Sequence, residues 1–140
     1  MKRYDLGKLL FLGLVLYLTA VIVRLPGIST ATPQADELHW LTRSQKILTK
    51  FKAGDYLNLT THCTHPGVPP ALVMAFGQKI SEKWNSSRGL EQYDRGYVDR
   101  LTAARISNVL ASSLLAPVVF AGVVYFLGLI PALLCAIFVI

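Results

Sequence analysis

The sequence predicts an all-α integral membrane protein, and three observations predict it. Of the 140 residues, 53% are hydrophobic. Only 16% are charged, where a soluble domain carries about a quarter. The apolar residues fall in blocks, at 6–23, 106–126 and 129–140 with a shorter run at 68–80, rather than spreading evenly along the chain.

Residues 1–24 form the expected N-terminal transmembrane helix. The block 6–23 is interrupted only by Lys8. It meets the requirement of about 20 mostly apolar residues if the Lys8 ammonium snorkels to the interface. Met1-Lys2-Arg3 precedes it and Arg24-Leu25-Pro26-Gly27 closes it. The rival is a cleaved signal peptide, with Lys2 and Arg3 as its basic region and a cut after Ala31 or Ala35. The uninterrupted core, 9–23, lies at the upper limit of length for such a peptide, so the retained anchor is preferred.

Residues 25–67 form the expected first extracytoplasmic loop. Thr32-Pro33 reads as a helix start, with Thr as N-cap and Pro in the first helical position. The helix then covers 33–53, and Gly54 stops it. It is amphipathic at about 100° per residue. Trp40, Leu41, Ser44, Ile47, Leu48 and Phe51 share one side, while Arg43, Lys46 and Lys50 share another. Such a helix suits a membrane surface and equally suits packing on its own protein.

The first turn of this helix carries Asp36 and Glu37. Two carboxylates there complement the helix dipole, which accounts for them without any chemistry. The chemical reading makes Asp36 a general base and Glu37 a supporting acid or metal ligand. Asp36 falls where the two faces meet, near His39 and Arg43. Gly54-Asp55-Tyr56 then opens an extended stretch that ends at His65-Pro66-Gly67.

Residues 68–80 form a re-entrant or second membrane helix, too short to span by length alone, with Pro69-Pro70 suited to its first turn. Residues 81–104 form a polar basic loop in which Trp84, Tyr93 and Tyr97 suit an interface. Residues 105–140 hold a transmembrane helix and a truncated further helix. The last block, about 12 residues, reaches about 18 Å, short of a bilayer core. The chain therefore reads as the N-terminal piece of a longer membrane protein. The lysine and arginine bias places the N-terminus and loop 81–104 in the cytoplasm and loop 25–65 outside. The expected location is a multi-pass membrane protein of the plasma membrane if the source is bacterial. The net charge of +6 lacks the aromatic-interleaved basic motif of a nucleic-acid binder, which excludes that class.

His39, His62, Cys63 and His65 with the two carboxylates offer ligand types that suit zinc, but their spacing matches no common zinc pattern. No metal site is assigned. Cys63, in a polar loop, and Cys135, in an apolar block, are poorly placed to pair. Asn58-Leu59-Thr60 and Asn85-Ser86-Ser87 fit the glycosylation acceptor pattern, which arises often by chance. On the charge-derived topology they cannot both be lumenal.

A series of short motifs carries a family resemblance. After one span come Ala35-Asp36-Glu37 opening a helix, then Gly54-Asp55-Tyr56, then His65-Pro66-Gly67-Val68 leading into a hydrophobic helix. Arg105-Ile106 starts another span, and Pro131-Ala132-Leu133-Leu134 lies in the next. In order and spacing the series resembles the N-terminus of polytopic C-type (GT-C) glycosyltransferases, nearest the protein O-mannosyltransferase-like branch. The resemblance implies GT-C-like transmembrane helices and transfer of a sugar from a polyprenyl-phosphate-linked donor to an acceptor on the extracytoplasmic face. By resemblance Asp36 activates the acceptor with Glu37 beside it, and His65 marks where the loop re-enters the membrane. Apart from the resemblance, Arg43, Lys46 and Lys50 on the same helix are cations that would attract the donor phosphate, and Arg43 and His65 are the substrate-binding candidates. The departing phosphate needs positive charge or a divalent metal, and the cofactor is unknown. The implied partners are the lipid bilayer, the polyprenyl-phosphate sugar and an unidentified acceptor. The alternative is a small non-catalytic membrane subunit or scaffold.

Overall fold

The computed structural model describes residues 5–62 and 67–140. Six α-helices follow in order: α1 Leu6–Arg24, α2 Ala35–Lys52, α3 Val68–Arg88, α4 Arg100–Ser113, α5 Leu115–Leu127 and α6 Leu129–Ile137. A 3₁₀ helix, Tyr56–His62, lies between α2 and α3. The described residues contain no strand. Two helical stretches are long and apolar enough to cross a membrane, α1 and the 28 residues Arg100–Leu127. The chain divides into two units, one built from residues up to Pro26 together with Val109–Ile140, the other from Gly27–Asn108.

In the first unit α1 starts where the sequence expects, because Asp5 caps it by accepting a hydrogen bond from the Gly7 N–H at 2.9 Å. The apolar block 106–126, expected as one helix, is interrupted at Leu114. The cause is Pro117, which has no N–H to donate to the carbonyl of Ser113 four residues back. Leu114 N–H turns instead to the Ala111 carbonyl at 3.2 Å. The Ser113 hydroxyl beside the break is fully buried and has no hydrogen-bond partner among the described residues.

Gly128, at φ 92°, is the single residue between α5 and α6. The core of this unit joins Leu16 and Ala20 of α1 to Ala116, Phe120 and Val124 of α5 and to Ala132 and Ala136 of α6. Four of these seven are alanines, which let helix backbones approach closely around one large ring, Phe120. Arg24 closes the end of α1 by donating to the main-chain oxygens of Val139 and Ile140 and to the Ser112 hydroxyl. The outward surface is apolar too: Leu10, Phe11, Leu18, Ile22, Val118, Phe126, Ile130 and Ile137 are all exposed.

The second unit is organised differently. Helix α2 begins at Ala35 with Gln34 as N-cap, two residues beyond the expected Thr32-Pro33 start. The reason is Glu37, whose Oε2 accepts the Gln34 N–H at 3.0 Å and so fixes the cap there. The helix ends as expected. Gly54, at φ 75°, turns the chain, while the Gly54 and Asp55 N–H groups bond the Phe51 and Lys50 carbonyls. Ser44, Ile47 and Leu48 are buried and Trp40 and Leu41 half-buried, so the predicted inner face packs inward. Phe51, on that same face, is instead exposed and meets the Tyr56 ring edge-on.

Helix α3 runs eight residues past the end expected at residue 80. It stops at Gly89 in the left-handed region. The residues that continue it are polar, which is why hydropathy reads them as loop, yet Gln78, Ser81 and Asn85 are buried. Gln78 donates to the Ser44 hydroxyl at 2.8 Å and accepts from Gln45 at 3.0 Å, so α2 and α3 are joined by a satisfied amide network beside the Ile47, Leu59 and Ala71 cluster. Asn85 binds both main-chain groups of Val98, donating to its carbonyl at 2.9 Å and accepting its N–H at 3.1 Å. Helix α4 begins at Arg100, within the expected 81–104 loop, because Asp99 Oδ1 caps it by accepting the Leu101 and Thr102 N–H groups, each at 2.9 Å.

Helices α3 and α4 touch backbone to side chain at Gly77. A Cβ there would sit 2.5 Å from Ser107 Oγ and 2.6 Å from the Ala103 carbonyl oxygen. Gly77→Ala is therefore expected to destabilise the protein by about 1–3 kcal/mol, the usual cost of overpacking. Gly122→Ala, where nothing lies within 4 Å, is expected to leave stability unchanged or raised. Thermal unfolding of the purified protein followed by circular dichroism checks both.

Candidate functional site

The site is assembled at the N-terminal turn of α2. Asp36 and Glu37 are adjacent in sequence, but the helix sends their side chains to different surroundings. Asp36 is exposed, and among the described residues its carboxylate has no hydrogen-bond partner. Glu37 is half-buried and held on both oxygens. Arg105 Nε donates to its Oε1 at 2.9 Å and Arg105 Nη2 to its Oε2 at 2.6 Å, a two-pronged fork.

The same guanidinium reaches further. Its Nη1 donates to the carbonyls of Ile28 at 2.8 Å and Ala31 at 2.9 Å, and its Nη2 to that of Thr32 at 3.4 Å. One arginine of α4 thus holds the whole segment that leads into α2. The hydrogen bond from Arg105 lowers the Glu37 pKa most. Burial works against it, and the Gln34 N–H and the charge of Arg105 add to the lowering.

His39 and Arg43 are exposed on the same helix, three and seven residues beyond Asp36. A separation of seven residues is two turns, about 10 Å along the axis. The Arg43 guanidinium lies 5.2 Å from the centre of the Trp40 ring, which holds it against the helix as a cation–π contact. Asp36, His39 and Arg43 therefore form an open polar stripe. Residues 63–66, Cys63 and His65 among them, lie outside the described residues. Among the described residues no three metal-ligating side chains gather, and Cys135 is a free thiol.

The two acceptor-like asparagines differ. Asn58 is exposed and donates to Asp55 Oδ1 at 2.8 Å. The Asn85 side chain is buried and its amide is committed to Val98 on both atoms, so it is not available as a sugar acceptor in the folded chain.

Two groups central to the site were not singled out as partners from sequence. Arg105 is the first; its signal is a lone guanidinium at the edge of an apolar block, a position that calls for a partner. Asp99 is the second; it stands immediately before the helix, as capping residues do. Burial tends to raise the Asp99 pKa, but the Thr102 hydroxyl and the Thr102 and Leu101 N–H groups outweigh it and the net direction is down.

No family model, curated protein or solved structure matches the chain.

A lowered folded-state pKa has a definite sign. The Glu37–Arg105 pair contributes stability above the ordinary carboxylate value of 4.5, and this is lost as pH falls through the lowered folded value. Glu37→Gln is therefore expected to be less stable than the parent by a constant margin near neutral pH. The margin shrinks steadily below about pH 4.5. Paired thermal melts of the two proteins across pH 3–7 check this.

Proposed function

We propose that the chain is an integral membrane protein, the N-terminal portion of a GT-C-like glycosyltransferase that takes sugar from a polyprenyl-phosphate donor. In this reading Asp36 is the base that accepts the proton of the acceptor hydroxyl on the extracytoplasmic face. The observation that carries the assignment is the division of labour within the acidic pair. Glu37 is bound on both oxygens by Arg105, whereas Asp36 on the same turn keeps an exposed carboxylate with no partner among the described residues. A base needs such a carboxylate within hydrogen-bond reach of the proton it removes. A fixed turn supplies its position.

Two features support the membrane part of the reading. Leu16 and Ala20 of α1 belong to the same buried cluster as α5 and α6, which favours a retained anchor over a removed leader. Large apolar side chains stand exposed on all three helices, Phe11, Ile22, Phe126 and Ile130 among them, as lipid contact requires and water does not favour. Arg43, held on Trp40, is the cation on this stripe for a phosphate-bearing donor.

The second reading, a non-catalytic membrane subunit, is favoured by one observation: Glu37, half of the acidic pair, is tied into the scaffold. Mutation separates the two. In the full-length protein Asp36→Asn is expected to reduce sugar transfer at least a hundredfold, the low end of what a general base contributes, while expression and donor binding persist. Transfer is measured with a radiolabelled polyprenyl-phosphate sugar in membranes. Undiminished transfer by Asp36→Asn rules out the assignment of the base.

A further inference from the structure

We propose that the C-terminal end of α2 and the 3₁₀ helix after it form a docking surface for an anionic lipid surface, with Phe51, Tyr56 and Leu57 as its apolar tip. This rests on the membrane reading given above and extends it to a unit that contributes no whole span of its own.

Three observations carry it. The first is the exposure of large apolar groups in one short stretch: Leu57 is 93% exposed, Tyr56 62% and Phe51 38%. Phe51 and Tyr56 stack edge-on with centroids 5.7 Å apart, so the tip is an ordered feature rather than a stray side chain. The second is charge. From Leu38 to Ala53 the sequence holds Arg43, Lys46, Lys50 and Lys52 and no Asp or Glu. Of these, Arg43, Lys46 and Lys52 are exposed. Lys50 donates to the Asn58 carbonyl at 3.1 Å and so bridges the helix to the 3₁₀ turn that carries the tip. The single nearby acid, Asp55, is engaged by Asn58. The third is the tether. The unit follows α1 directly at Gly27.

The chemistry fits one occupant. A Tyr and a Phe, amphipathic and apolar, belong at headgroup depth. Flanking ammonium groups gain about 1 kcal/mol each near an anionic leaflet, a factor of about five in affinity. Neutral lipid would leave the cations without a counter-charge.

The test uses the whole chain reconstituted into vesicles, with both native cysteines replaced by serine and a bimane label at Leu57→Cys. The vesicles are phosphatidylcholine with or without 30% phosphatidylglycerol, a composition chosen on the order of natural anionic content. Controls carry the label at Phe11→Cys on α1 and at Tyr93→Cys, a residue 95% exposed. The expected result has two parts in anionic vesicles. The label at 57 is quenched by headgroup-nitroxide lipid, and it is shielded from aqueous iodide at least threefold relative to the label at 93. Lys46→Glu with Lys52→Glu, or 0.5 M salt, is expected to reverse that shielding. If the label at 57 is as open to iodide as that at 93 while the label at 11 is lipid-quenched, the docking surface is overturned and the membrane reading stands. If the label at 11 also escapes lipid quenching, both fail. Shielding at 57 without lipid quenching assigns the tip to a protein contact and likewise overturns the proposal.

Discussion

The Gly27–Asn108 unit depends on one guanidinium. Arg105 reaches two oxygens of Glu37 and three main-chain carbonyls between Ile28 and Thr32. These contacts join the segment entering α2, the first turn of α2 and the middle of α4. The planar fork of arginine allows this, because its donors diverge in fixed directions. A lysine at the same place has a compact charge and cannot address both carboxylate oxygens and the carbonyls in one geometry. Position also matters. Both partners are largely sheltered, with 14% and 30% of their side chains exposed, so screening by water is weaker than at an open surface. The orientation of Asp36 follows from this, since its backbone is part of the turn that Glu37 anchors.

Both units bury alanines, and they differ in what they bury beside them. The unit of α1, α5 and α6 uses alanines and one phenylalanine, with an apolar exterior as well. The small side chains let the helix backbones approach closely, and dispersion between them is a source of cohesion. The Gly27–Asn108 unit buries serine, glutamine and asparagine beside its alanines and aliphatic residues, each polar group with its partner. A satisfied polar interior fixes one arrangement, because any slip leaves an amide unpaired, and an unpaired buried amide is costly.

The residues that could be read directly from sequence were those whose chemistry and periodicity agreed. Helix α1, the inward Ser44, Ile47 and Leu48, and the Gly54 stop follow from local pattern. What escaped was set by distant contacts. The 81–88 extension of α3 is polar along its buried stripe, so hydropathy pointed to a loop, and only the partner of Asn85, Val98 thirteen residues on, makes the burial intelligible. The start of α2 moved because a carboxylate on the third helical residue captured the Gln34 N–H. The Pro117 break was latent in the sequence, but the length of the apolar block 106–126 outweighed it. Within the acidic pair, the residue types announced a charged turn. Which carboxylate stays open was decided by an arginine 68 positions away.

The Asn85–Val98 pairing has a consequence for the segment it spans. Both ends of the stretch from Gly89 to Tyr97 are fixed by one side chain acting as a surrogate strand neighbour. Inside, the Glu91 and Asp94 main chains bond each other and the Asp94 carboxylate accepts the Glu91 N–H. The stretch is a closed ring whose mouth is set independently of its circumference. Lengthening a ring that is already closed adds little entropy, about 0.6 kcal/mol for each doubling. Evolution can therefore rewrite or enlarge this part of the surface without disturbing the register of α3 and α4. The same holds for sequence divergence among any descendants of the chain: variation should gather between the clasp residues and spare the clasp.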